Sequence, residues 1–200
     1  MRWEELSVSL KRKSPGREAV ILGLNILEYH DLYTRGHSEN VAKLSCKIAI
    51  RLGINADSMS HVFWAGLVHD IGKVFIPLRI LNKKGALSRE EYSVVQQHPV
   101  WGYQFLNRCQ FLQVISRAVL NHHERWDGSG YPRGLKGEEI PLLSRIIAAA
   151  DSWDAMCSDR PYRQRLSYNR ARNELIEQQG KQFAPVVVEE LLIILDRNKN

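Results

Sequence analysis

Residues 57–70 read DSMSHVFWAGLVHD. Within them Met59, Val62, Phe63, Gly66 and Leu67 recur at three- and four-residue spacing, the period of one helical face, whereas a half-buried strand would alternate at every second residue. Asp57 offers a short carboxylate suited to cap that helix. Gly72 follows closely enough that the helix ends at or just after His69-Asp70. The stretch therefore brings an imidazole and a carboxylate side by side to the end of an apolar helix.

The same spacing continues outward almost from end to end, and period-two alternation is scarce, so the fold class is all-α. The chain has 200 residues, 25% of them charged, enough for one ordinary hydrophobic core. Residues 1–16 are polar and basic and end in Ser14-Pro15-Gly16, a lead-in to a single domain over 17–200. Helices are expected over about Arg17–Leu32 and from near Ser38 to Gly53, where glycine suits a C-terminal cap. After the helix of the opening stretch, Gly72 to Leu87 forms an irregular crossing with breakers at Pro77 and Gly85. Ser88 and Glu91 have the spacing of a capping box and start a helix through Gln97. His98-Pro99 interrupts it, and Pro99 opens the next helix. Further helices run up to His122-His123, from Pro141 through Asp151, from a Ser167 cap, and from Pro185.

A net charge of +6 favours a polyanionic partner, but the lysines and arginines are scattered, so a small phosphorylated ligand fits better than a nucleic acid. The three cysteines, Cys46, Cys109 and Cys157, are odd in number and far apart, which excludes a disulfide framework and a zinc knuckle. The first apolar run comes too late and is too short for a membrane span, and no signal pattern precedes it. A soluble, cytoplasmic protein is expected.

Five of the seven histidines, His37, His69, His98, His122 and His123, fall at helix ends or breaks beside other polar residues. Neighbouring side chains on a regular helix diverge by about 100°. His122 and His123 can therefore reach one centre only where their helix ends, and the glycine-rich segment from Asp127 supplies that ending. Asp70, in a second such pair, has two oxygens with which to bridge two cations. Asp151 stands within an apolar helical segment, where an unpartnered carboxylate is costly. It must face a metal, a cluster of donors, or an arginine such as Arg145 or Arg160. Asp154 is expected to orient a ligand, as are Glu124 and Asp127. Rich in imidazole, poor in carboxylate and free of thiolate, the set suits iron, manganese, cobalt, nickel or zinc better than calcium or magnesium. Two such ions activate water for attack on a phosphodiester. Lys73 can meet the phosphate charge that grows in the transition state.

The ordered motifs Tyr33-Thr34-x-x-His37-Ser38, His69-Asp70-Ile71-Gly72-Lys73, His98-Pro99-x-x-Gly102, His122-His123-Glu124-x-x-Asp127-Gly128-x-Gly130-Tyr131-Pro132 and Asp151-x-x-Asp154-Ala155, followed by Arg160-Pro161-Tyr162-Arg163, resemble the HD-GYP family of metal-dependent phosphohydrolases. The resemblance runs from about Ile21 to Leu195. It implies a helical bundle of the HD-domain type with a C-terminal helical extension, and hydrolysis of cyclic di-GMP to linear pGpG and onward to GMP. It also implies two divalent ions, iron or manganese, with zinc, cobalt or nickel compatible. One would be held by His37, His69, Asp70 and Asp151, the other by Asp70, His98, His122 and His123. Asp70 and Lys73 would be catalytic, and Lys73, Arg160, Arg163 and Tyr131 would contact substrate. Gly130-Tyr131-Pro132 would lie on a loop that governs substrate access and contacts diguanylate cyclase domains, with Gly128–Lys136 a mobile basic rim.

Members with a third metal have a glutamate where this chain has Tyr33, so two metals are expected. Ala184 stands where an aspartate is common. Family members usually carry further domains upstream, so the chain is either a stand-alone enzyme or part of a longer one. The alternatives are a hydrolase of another cyclic dinucleotide such as cyclic GMP-AMP, a non-catalytic adaptor that binds a cyclase domain, and, last, a nucleic-acid-binding domain. The last leaves the histidine placement unexplained.

Overall fold

The computed structural model of the chain describes residues 15–30, 36–108, 112–159 and 164–197. Among them are ten α-helices: α1 (Pro15–His30), α2 (His37–Arg51), α3 (Met59–Val68), α4 (Leu78–Leu81), α5 (Arg89–Val95), α6 (His98–Leu106), α7 (Gln113–Leu120), α8 (Leu142–Cys157), α9 (Tyr168–Glu177) and α10 (Pro185–Arg197). No strand occurs among the described residues, only an isolated bridge between Gln179 and Phe183. The all-α expectation holds. Arg160, Arg163, Tyr33, Thr34 and Cys109 lie outside the described residues.

α3 is the hub, packed against α2, α7 and α8. Apart from Ser60 and His61, each of its residues is apolar or glycine, and a helix apolar all round is one that its neighbours enclose. The sequence implies a single face. Instead Trp64, Ala65 and Val68 are buried along with Met59, Val62 and Gly66, while Phe63 and Leu67 are only half-buried. α2 comes so close that a Cβ on Gly66 would lie 2.7 Å from the Ala42 Cα. The cap also differs from expectation. Asn55, not Asp57, accepts a hydrogen bond from the Ser58 N–H, and one 3₁₀ turn (Ala56–Ser58) precedes the helix.

Other start and stop signals act as read. Gly53 is left-handed at φ 74°, and the bonds Gly53 N–H to Ile50 O and Ile54 N–H to Ala49 O close α2 in a Schellman pattern. Ser88 and Glu91 cap each other's backbone, at 3.2 and 2.7 Å. Ser88→Ala is therefore expected to cost about 1 kcal/mol, read as a lower denaturation midpoint with turnover unchanged. The crossing from Gly72 is more regular than expected, with a 3₁₀ segment (Ile71–Phe75) and then α4. The 3₁₀ segment packs on α6. There a Cβ on Gly72 would sit 1.9 Å from the His98 carbonyl oxygen.

α9 and α10 form the C-terminal extension. They bury Ala171, Leu175, Val187, Val188 and Leu191 against α8 and α2, each large side chain contributing about 1.5–3 kcal/mol. An ion pair from Arg51 to Glu190 ties α10 to α2. Cys46 is buried in the core, which pushes its thiol up to about 12 and leaves it unreactive. No helix among the described residues is long and apolar enough to cross a membrane.

Candidate metal centre

The functional side chains come from the ends of helices. His37 is the first residue of α2, His69 closes α3, Asp70 and Lys73 begin the 3₁₀ segment, His98 opens α6, and His122 and His123 sit in the turn after α7. Asp151 and Asp154 alone lie within a helix, α8, on one face of successive turns. The structure gathers all of these into one cluster.

Three of the histidines are oriented by one device. The last carbonyls of a helix have no partner within it. The Nδ1–H of His69 donates to Gly66 O at 2.8 Å, that of His98 to Val95 O at 2.8 Å, and that of His122 to Val119 O at 2.6 Å. A carbonyl only accepts, so each Nδ1 carries the proton and each Nε2 points into the cluster. His37 is aimed by a side chain instead, its Nδ1 lying 2.7 Å from Asp154 Oδ2. Asp154 thus plays the orienting part expected of it.

Asp70, buried at 5% exposure, lies between two groups of donors. Its Oδ1 is 3.2 Å from His98 Nε2, and its Oδ2 is 3.3 Å from His69 Nε2 and 2.7 Å from Lys73 Nζ. On one side, ligand atoms of Asp70, His98, His122 and His123 all fall within 4.8 Å of one another; on the other, those of His37, His69 and Asp70 do. Asp151 Oδ1 adjoins the second group, 3.2 Å from His37 Nε2 and 3.9 Å from His69 Nε2. Arg145, its alternative partner, pairs with Glu138 and lies over the Trp126 ring.

The electrostatics favour a cation. Burial alone would raise the Asp70 carboxyl, but the Lys73 ammonium and the imidazoles of His69 and His98 hold it well below the usual carboxylate range. Asp151 is likewise held ionised against its burial, chiefly by the hydrogen bond with His37. Burial pushes His122 far down and His123 down to about 3, so both rings are neutral. His37 goes the other way. Burial lowers it, but hydrogen bonds to Asp151 and Asp154 outweigh that and raise it to about 9. Its Nε2 proton points at Asp151, and a metal taking that place would displace it.

The donor set fits divalent metal ions. His69 Nε2 is fully buried and, among the described residues, has no hydrogen-bond partner. His98 Nε2 and His122 Nε2 stand 3.4 Å apart. Only a cation between them, proton or metal, makes that contact attractive. Imidazole nitrogens and two carboxylates, without a thiolate, are donors for borderline first-row ions.

His123 is held differently. Among the described residues its ring has no hydrogen-bond partner; it stacks on Tyr131 with centroids 4.9 Å apart and planes 26° from parallel. Tyr131, expected among the substrate contacts, has one face committed to this ring. No local signal in the chain marks that pairing, whereas the carbonyl device has a readable one: a histidine within three residues of an apolar helix's end.

The loop carrying Tyr131 is tied down along its length. Buried Glu124 accepts the Arg133 N–H at 2.7 Å and the Leu135 N–H at 3.1 Å, and Tyr131 N–H donates to His123 O at 3.2 Å. Trp126 and Asp127 N–H groups donate to Gln182 and Lys181 carbonyls in the turn between α9 and α10. In place of a mobile rim, the loop is an anchored part of the site. Asp127 is spent within it, accepting from Ser129 and Arg125, which holds its carboxyl at about 2. It does not orient a metal ligand directly.

Comparison with known proteins places this geometry. Over 172 residues the chain is 45% identical to a cyclic di-GMP phosphodiesterase of Thermotoga maritima, covering 84% of this chain and 47% of that protein. Over 194 residues it is 34% identical to the 3'3'-cGAMP-specific phosphodiesterase 2 of Vibrio cholerae, covering 96% of this chain and 37% of that one. The chain thus spans half or less of the length of these relatives. A solved structure of a HDG"Y"P protein from Bdellovibrio bacteriovorus shares the fold, with a TM-score of 0.66 at 24% identity over 80% of this chain and 51% of that one. The family model described as HD domain matches residues 23–187. That match makes the chain a member of the HD-domain family, and its ordered motifs resemble those of the HD-GYP branch.

Proposed function

We propose that this chain is the catalytic domain of a metal-dependent phosphodiesterase that opens cyclic di-GMP to linear pGpG, with GMP the product of any second cleavage. The observation that carries this reading is the position of Asp70, whose two oxygens face two separate groups of inward-pointing imidazoles. In it, His37, His69, Asp70 and Asp151 would hold one ion and Asp70, His98, His122 and His123 the other, both iron or manganese. Bound there, the pair would supply an activated water and neutralise charge on the phosphodiester.

The chain's own residues do the rest. Asp70 presents one oxygen to each group of imidazoles. The helix-end carbonyls and Asp154 hold four imidazoles with Nε2 inward, so no reorganisation is needed at the moment of reaction. Lys73, partly exposed beside Asp70, offers its ammonium to a phosphate oxygen as charge develops there. Arg160, with Arg163 assisting, is the further contact that the family resemblance suggests for the substrate's phosphates. Arg133 and Lys136 are exposed on the loop rim, where they suit an anionic substrate or a diguanylate cyclase domain.

Lys73→Ala is expected to retain both metals and lose about 10²-fold in kcat. A fall in metal content that tracks the loss of rate would remove Lys73 from this role. The function itself is tested by metal analysis of anaerobically purified protein, followed by product analysis with cyclic di-GMP and with cyclic GMP-AMP. Preference for the second would move the substrate to the class named for the Vibrio relative. Hydrolysis of neither by metal-loaded protein would overturn the reading.

A further inference from the structure

Four of the five clustered histidines have a hydrogen-bonded partner on Nδ1: the carbonyls of Gly66, Val95 and Val119, and the Asp154 carboxylate. An imidazole free to rotate about its χ angles presents Nε2 to a metal only part of the time, and fixing it is the work of such partners. Among the described residues His123 lacks one; its half-buried ring packs among others, with His122 at 4.0 Å and His98 at 5.0 Å between centroids. The Tyr131 ring is the one that stacks on its face, at 4.9 Å and 26°.

We propose that Tyr131 and Glu124 are the positioning residues of His123, Tyr131 by stacking on its ring and Glu124 by holding the loop that keeps Tyr131 there. The placement of Tyr131 is overdetermined. Gly130 passes so close to the preceding turn that a Cβ there would lie 2.3 Å from Arg125 N and 2.6 Å from His123 O, so only glycine lets the loop descend onto the histidines. Immediately beyond Pro132, the two Glu124 oxygens take the N–H groups of Arg133 and Leu135. Glu124 is 3% exposed and these are its hydrogen bonds, which a buried carboxylate requires. The adjacency of His123 and Glu124 in the chain thus has a reason: one residue faces the cluster and the next clamps the loop that covers it.

The inference rests on the reading of His123 as a metal ligand, and the test separates the two. Metal-free protein is titrated with Co²⁺, following the visible absorption of bound cobalt and the stoichiometry. Glu124→Gln replaces one acceptor oxygen with an NH₂ that opposes a backbone N–H, and Tyr131→Leu removes the stacking face while leaving the loop's anchors. Each should weaken one Co²⁺ ion about 10- to 100-fold and shift its absorption, with the other ion unaffected. Tyr131→Phe keeps the ring and should bind as the parent does. Co²⁺ binding and spectra unchanged in Tyr131→Leu would overturn the proposal, as would equal loss in Tyr131→Phe. His123→Ala is the control: if it binds both ions with the parent's spectrum, the ligand reading itself fails. Should Glu124→Gln not fold, Tyr131→Leu decides the matter alone.

Discussion

Asp70→Ala is expected to lose bound metal and activity together. Among the described residues no other side chain has an oxygen facing each group of imidazoles, and this one is buried, ionised and within 3.3 Å of donors on both sides. Without it the two ions lose their shared ligand, and the Lys73 ammonium loses its 2.7 Å partner. Metal ions of this kind supply several kcal/mol of transition-state stabilisation, so turnover should fall by at least about 10³-fold. Metal content by atomic emission and product formation from cyclic di-GMP measure the two losses. An Asp70→Ala protein that is active without metal would sink the two-metal proposal. Asp70→Asn makes the finer point. It keeps the shape but has one acceptor oxygen, so it should retain part of the metal and little of the rate.

Gly72→Ala should be the second severe variant, although it adds only a methyl group. Its Cβ would fall 1.9 Å from His98 O and 2.6 Å from Gly102 N, both backbone atoms that no rotamer change can move. The 3₁₀ segment must lift from α6. Overpacking of this kind costs about 1–3 kcal/mol, seen as a lower thermal midpoint. The same displacement separates Asp70 and Lys73 from His98, and a shift of about 1 Å in a catalytic group costs on the order of 10²-fold. Comparison with Gly85→Ala, an exposed site with nothing within 4 Å, separates crowding from loss of backbone freedom. Wild-type turnover in folded Gly72→Ala protein would show that the segment's seat on α6 does not set the site.

Much of this was legible in the chain because the signals are local. Apolar spacing gives the helices, and Ser88-x-x-Glu91, Gly53 and His98-Pro99 mark their ends by chemistry acting over three or four residues. The histidines could be picked out because they stand at those ends. The errors were also local in origin. Asp57 and Asn55 are both competent caps two residues apart, and which one caps depends on the 3₁₀ turn that α3 adopts when packed. The single face expected for α3 became an enclosed helix because burial is set by α2, α7 and α8, which the helix's own period cannot count.

By itself, the sequence determined an all-helical chain with six metal-competent side chains at or near helix ends and a seventh, Asp151, within a helix, since capping, periodicity and donor type are properties of short segments. Only the tertiary structure decided that Asp70 lies between two groups of imidazoles, that helix-end carbonyls fix three of the rings, and that Tyr131 stacks one face on His123. These relations join residues dozens of positions apart, or turn on a few ångströms of packing. They exist only once the helices bury one another and bring their ends to a common point.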